Sequence, residues 1–166
     1  VPNGANTFTT RGRNIVYANG TWVAVGEGTN AIAYSTMTPP VASSWVGIPT
    51  GTSINGVTNT FSTTCYDIAY GNGAWVAVGT ATNSIAYSLA NPPTAESWVG
   101  ITIGSGNFSS VGWGITFGNG TWVATGIPSD SISTLYSTNA SEWFPTEGSQ
   151  FFRVGFSVAY GNGRWV

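Results

Sequence analysis

Histidine and lysine are both missing from this 166-residue chain, and cysteine occurs once, at Cys65. Without histidine there is no Ser-His-Asp triad and no His-containing zinc site. A single cysteine excludes an intrachain disulfide. Cys65 also lacks an imidazole base to activate it, so it is expected to be a small buried residue. Charge is equally scarce. Charged residues make up 6% of the chain, against a usual ~25%. The only cations are Arg11, Arg13, Arg153 and Arg164, and the net charge is -2. Such a surface cannot neutralise phosphates, so nucleic acid is not expected as a partner. No run of ~20 apolar residues occurs, so no membrane-spanning helix is expected either. Hydrophobic residues are still 42% and aromatics 14%, which sets the chain apart from disordered sequences. The first residue is Val1 and no targeting motif is visible, which reads as a boundary made by processing or cloning.

What is abundant is repetition. Asn19-Gly20-Thr21-Trp22-Val23, Asn72-Gly73-Ala74-Trp75-Val76, Asn119-Gly120-Thr121-Trp122-Val123 and Asn162-Gly163-Arg164-Trp165-Val166 share one pattern. Each is preceded by an aromatic residue: Tyr17, Tyr70, Phe117 and Tyr160. The intervals between these aromatics are 53, 47 and 43 residues, periods typical of propeller blades.

Each unit reads as short strands. In the second, 67–70 is the first strand (A) and 75–79 the second (B). Asn72-Gly73 lies between them, the strongest short hairpin signal, because a type I′ turn needs positive φ at both central residues. Asn19-Gly20 and Asn119-Gly120 repeat that turn. Strand C is expected at 31–35, 84–88 and 132–137, and strand D at 44–48, 97–101 and 142–144. Frequent glycine and the pairs Pro39-Pro40 and Pro92-Pro93 would break any helix. The expected fold is therefore all-β: four-stranded antiparallel blades of a β-propeller. Blades are expected at 14–48, 66–101 and 114–144, with half a blade at 156–166 and residues 1–13 as an inter-blade connection. The tryptophans Trp22, Trp75 and Trp122, together with Trp98, are expected to fill the core between blades, because a repeat unit cannot bury its faces alone.

The segment Ser137-Thr138-Asn139-Ala140-Ser141-Glu142-Trp143 is similar to the Asp-box turn of sialidase-type propellers, with Asn139 for the Asp and Ala140 for the Gly. The combination of Gly-Asn-Gly-x-Trp-Val-Ala-Val-Gly with a later Ile-Ala-Tyr-Ser and Trp resembles the β-propeller repeats of giant-virus and bacterial extracellular proteins. This resemblance covers all but the first dozen residues. It implies a propeller fold, and it is silent on activity because the shared residues are turn and core residues.

Catalytic chemistry finds little support. A sialidase-like site would need convergent arginines, an acid/base carboxylate and a tyrosine nucleophile. Arg11 and Arg13 are expected in the connection, and the acids are spread along the chain. No catalytic residue, metal site or cofactor is expected, and no glycine-rich turn carries a phosphate-loop motif. The B–C loops are the candidate ligand contacts: Thr29 and Asn30, Thr82 and Asn83, Ser129 and Asp130. They recur at equivalent places in each unit, and turn hydrogen bonding is the alternative role for them.

The expected function is non-enzymatic: a binding or assembly module outside a cell or on a virion, taking glycan or protein through its loops. The alternatives are a structural subunit that builds rings or filaments and a fragment of a sialidase-like glycoside-processing enzyme. Three blades and a half do not close a ring. The expected partners are therefore the remainder of a larger propeller or further copies of the chain, with glycan as a further candidate.

Overall fold

The computed structural model describes residues 7–54, 57–58, 61–80, 83–101, 108–128, 133–146 and 154–166. The described chain is all-β and antiparallel, with two single-turn 3-10 helices and no α-helix. No helix among the described residues is long and apolar enough to cross a membrane.

Three meanders repeat the same plan. Unit 1 contains β1 (Arg11–Ala18), β2 (Thr21–Glu27), β3 (Asn30–Ser35) and β4 (Val46–Pro49). A short ribbon, β5 (Ser53–Ile54) with β6 (Val57–Thr58), follows. Unit 2 contains β7 (Thr64–Gly71), β8 (Ala74–Thr80), β9 (Ile85–Ser88) and β10 (Val99–Gly100). Unit 3 contains β11 (Phe108–Gly118), β12 (Thr121–Pro128), β13 (Thr134–Ser137) and β14 (Phe144–Pro145). A last hairpin pairs β15 (Tyr160–Gly161) with β16 (Arg164–Trp165). Within each unit, successive strands pair in order. Units 1 and 2 touch through the pair Glu27 and Thr64, and units 2 and 3 through Thr80 and Val111. These links join the three units into one twelve-stranded sheet, and no sheet closes on itself among the described residues.

The turn chemistry explains the repeated hairpin. Asn19, Asn72, Asn119 and Asn162 have φ of 48°, 47°, 49° and 50°, and the glycines that follow lie at 74° to 78°. Across each turn, the aromatic of the first strand faces the tryptophan of the second: Tyr17–Trp22, Tyr70–Trp75, Phe117–Trp122 and Tyr160–Trp165. All four ring pairs stand 4.7 Å apart.

Several strand limits differ from expectation. The first strands start earlier, so Arg11 and Arg13 lie in β1 and not in a connection. Each ladder continues past a bulge that the alternation of residues does not announce. The fourth strands are shorter. Residues expected in strand at 44 and 97 belong to 3-10 turns, Ala42–Ser44 and Ala95–Ser97. Ser44 Oγ donates to Val41 O at 2.8 Å, and Ser97 Oγ to Thr94 O at 2.8 Å. These local bonds compete with a ladder. Likewise Glu142 N donates to Asn139 Oδ1 at 2.9 Å, so β14 begins only at Phe144. Residue 132, expected in the third strand C, lies outside the described residues.

The core lies between units. One face of unit 1 (Val23, Val25, Ile32, Ile48) packs with Phe61 against Ile68, Trp75, Ala77 and Trp98 of unit 2. The opposite face of unit 2 (Val76, Val78, Ile85) packs with Phe108 against Ile115, Trp122, Ala124 and Leu135 of unit 3. The same joint is therefore built twice. Burying a large side chain in such a joint stabilises by roughly 1.5–3 kcal/mol.

Candidate functional site

The bulges place a row of side chains. In β1 the ladder passes from Gly12 to Asn14, in β7 from Cys65 to Asp67, and in β11 from Gly112 to Gly114. The skipped residues are Arg13, Tyr66 and Trp113. Phe156 holds the equivalent place in the last unit, four residues before Tyr160. A bulge residue leaves the pleat, so its side chain is re-aimed away from both sheet faces. Here the four side chains meet. The Arg13 guanidinium lies 5.2 Å from the Tyr66 ring centre. Tyr66 and Trp113 are 4.3 Å apart, and Trp113 and Phe156 5.9 Å. Such cation–π and ring–ring contacts contribute about 0.5–1.5 kcal/mol each. The Trp113 indole N–H has no acceptor among the described residues, and its ring lies against those of Tyr66 and Phe156.

One position further along lie Asn14, Asp67, Gly114 and Ser157, a row with three polar side chains and a glycine. Asp67 ties three units together. Its Oδ1 accepts the Asn14 Nδ2 hydrogen from unit 1 and the Ile68 N–H of its own strand at 2.9 Å. Its Oδ2 accepts the Ile115 N–H of unit 3 at 2.9 Å. Asn14 Oδ1 accepts Ile15 N–H at 2.7 Å, the same local bond that Asp67 makes. Burial pushes the Asp67 carboxyl above its ordinary value, against the opposing pull of these three donors. Burial raises the Cys65 thiol well above its usual range, and the Asp67 charge raises it further. Cys65 is fully buried, donates to Val78 O, and stays a protonated thiol at neutral pH. Nearby, Glu27 accepts Arg11 Nε at 2.5 Å and Arg13 Nη2 at 3.1 Å.

The residues singled out in the B–C loops are placed differently from one another. Asn30 is buried, and its Nδ2 donates to Thr7 O at 2.6 Å. Thr29 is exposed, but its backbone is engaged: its N–H donates to Thr9 Oγ1 at 3.0 Å and its carbonyl accepts Thr50 N–H at 3.1 Å. Asn83 is buried. Thr82, Ser129 and Asp130 lie outside the described residues. Asn30 thus fastens the chain that enters unit 1, and Thr29 binds both neighbouring connections. The turn residues Asn19, Gly20, Asn72, Gly73, Asn119 and Gly120 are all exposed. Trp75 and Trp98 are completely buried, Trp122 is almost so, and Trp22 is partly covered.

Two cavities flank the repeats. One, of about 650 Å³, opens between unit 3 and the last hairpin, among Val123, Thr125, Tyr136, Gly155, Trp165 and Val166. The other, of about 320 Å³, lies on the outer side of unit 1, among Phe8, Arg13, Asn14, Ile15 and Ala24.

Sequence reading overlooked the bulge row. At that register the repeats carry Arg, Tyr, Trp and Phe, and the residues beside it vary as well, so no constant frame marks it. Comparison with family models finds no match, and comparison with curated proteins finds none either.

Proposed function

We propose that the chain is a β-propeller repeat module that binds and assembles and does not catalyse. The four-stranded meanders are read as blades, and the inner strands β1, β7 and β11 as the wall of a central channel. One observation carries the reading. The face that unit 2 turns to unit 1, and unit 3 to unit 2, holds a tryptophan that is 0% and 1% exposed (Trp75 and Trp122), whereas its counterpart Trp165 is 37% exposed beside an open apolar cavity. This joint between unit 3 and the last hairpin is half filled, and further strands, from the same polypeptide or from a second copy, would complete it. A heterologous contact of this kind closes a ring or grows a filament.

The surface chemistry supports display and not reaction. Every cation in the described inner wall is paired to Glu27, and the buried Cys65 has no base. Neutral, Thr- and Asn-rich loops suit glycan or protein partners, and a place outside a cell or on a virion fits that surface. Light scattering across a concentration series tests the assembly arm. Species larger than the 17.2 kDa chain are expected, with interfaces burying on the order of 1,000 Å². A compact monomer at every concentration would overturn it.

A further inference from the structure

We propose that the bulge row Arg13–Tyr66–Trp113–Phe156, with the polar row beside it, is the ligand site of this module, and that its ligand is a neutral saccharide chain. This rests on the binding-module reading above and gives that reading a place and a chemistry.

The first argument is economy of structure. Trp22, Trp75, Trp122 and Trp165 recur unchanged because each unit needs them for the same joint. The bulge position recurs in geometry and not in identity. Three of its four residues are aromatic and the fourth is an arginine, so the register keeps flat side chains in a row. The second argument is access. Arg13, Asn14 and Ser157 are exposed, Tyr66, Asp67 and Trp113 are half-buried, and Phe156 is 70% exposed. The outer face of the Phe156 ring therefore stands open at the end of the row.

The third argument is chemistry. A pyranose presents a flat face of C–H bonds and a rim of hydroxyls. The open face of Phe156, backed by the rings stacked behind it, can receive the face, and the polar side chains of Asn14, Asp67 and Ser157 alongside can receive the rim, the mix typical of ligand sites. Asp67 has capacity to spare: a carboxylate offers about four lone-pair positions, and three donors are aimed at it. Asn14 Nδ2 spends one of its two hydrogens on Asp67. A phosphodiester chain would also stack on such rings, but it needs free cations. The one cation of the row, Arg13, is held by Glu27 and lies over Tyr66.

Titration of the whole chain with cellotriose, chitotriose and maltotriose, followed by tryptophan emission and calorimetry, tests the proposal. An oligothymidylate serves as the anionic competitor. At least one trisaccharide should bind. Phe156→Ala should weaken it about tenfold or more, and Phe156→Tyr should restore it. Phe156 is too exposed for its loss to unfold the chain, and unchanged circular dichroism would verify this. Binding that is insensitive to Phe156→Ala, binding of the oligothymidylate in preference, or failure of all three sugars would each overturn the proposal. If the sugars fail while the chain still associates in light scattering, the saccharide site falls and the assembly module stands. If both fail, the module reading falls with it.

Discussion

Asp67 sits where three units meet, and its chemistry is not interchangeable with that of Asn14 one unit earlier. Asn14 receives one N–H and gives one, whereas Asp67 receives three. In Asp67→Asn, the new amide N–H would face either the Ile115 N–H or the Asn14 amide. One buried donor would lose its acceptor, at a cost of about 1–3 kcal/mol. Equilibrium denaturation at neutral pH checks this. The carboxyl also predicts a pH slope. Burial raises its folded value above the usual carboxylate range, so the folded state holds the proton more tightly than the unfolded state does. The stability from this group is then fully present at low pH and is lost as pH rises from the usual carboxylate value through the raised one. Wild type minus Asp67→Asn, measured from acid to neutral pH, should show stability falling and then levelling off. The subtraction removes every group common to the two proteins. Cys65, whose thiol is raised further by burial, stays protonated throughout that window. A second residue-scale test uses Gly73, at φ 78°, where an added Cβ would meet nothing within 4 Å. Space is open there, so Gly73→Val probes backbone conformation alone. It should lower the thermal midpoint, with a loss of ~1 kcal/mol or more.

At the scale of elements, close approach decides what pattern reading cannot. The hairpins were legible because Asn-Gly has a steric reason to turn, and the first and second strands followed from it. The glycine closing Val-Ala-Val-Gly was legible only as part of a repeat. Its role is to let a carbonyl of the paired strand and a ring approach the same point. A Cβ at Gly26, Gly79 or Gly126 would meet first the carbonyl oxygen of Arg11, Thr64 or Val111 across the ladder, and then, at 2.6 Å, the ring of Phe8, Phe61 or Phe108. Those three phenylalanines are buried, and each closes the end of its unit. Gly79→Ala should therefore cost about 1–3 kcal/mol by overpacking, and Phe61→Leu in the same chain should recover at most the ring's share of the loss, because the Thr64 carbonyl stays in place. Denaturation of the two single variants and the double variant reads the coupling directly. The bulges were illegible for a related reason. A skipped residue changes neither composition nor hydropathy, and only the partner strand reveals it. The fourth strands come out shorter than their sequence suggests because Ser44 and Ser97 look like strand residues, whereas their hydroxyls close local turns. The B–C loop asparagines looked available for the opposite reason. Nothing in the loop sequence says that Asn30 reaches back to Thr7 O.

For the whole molecule, the two filled joints and the two open flanks make one measurable contrast. Trp75 lies in a filled joint at 0% exposure, and Trp165 occupies the same register at 37%. Trp75→Ala should cost about 3–5 kcal/mol, since it leaves a cavity between two rigid sheets. Trp165→Ala should cost much less in a free chain, because its ring already faces solvent and the cavity already exists. If further strands fill that joint, the two positions become alike. The Trp165 environment turns apolar, and its truncation then removes an interface anchor of the kind that dominates association energies. Dilution separates the two conditions. At low concentration, Trp165→Ala should leave the denaturation midpoint nearly unchanged while Trp75→Ala lowers it strongly. At high concentration, the wild-type midpoint should rise by mass action, tryptophan emission should shift to the blue, and Trp165→Ala should abolish both changes. A wild-type midpoint independent of concentration, with Trp165→Ala as damaging as Trp75→Ala throughout, would mean that the last hairpin is packed within its own chain and that this flank recruits nothing.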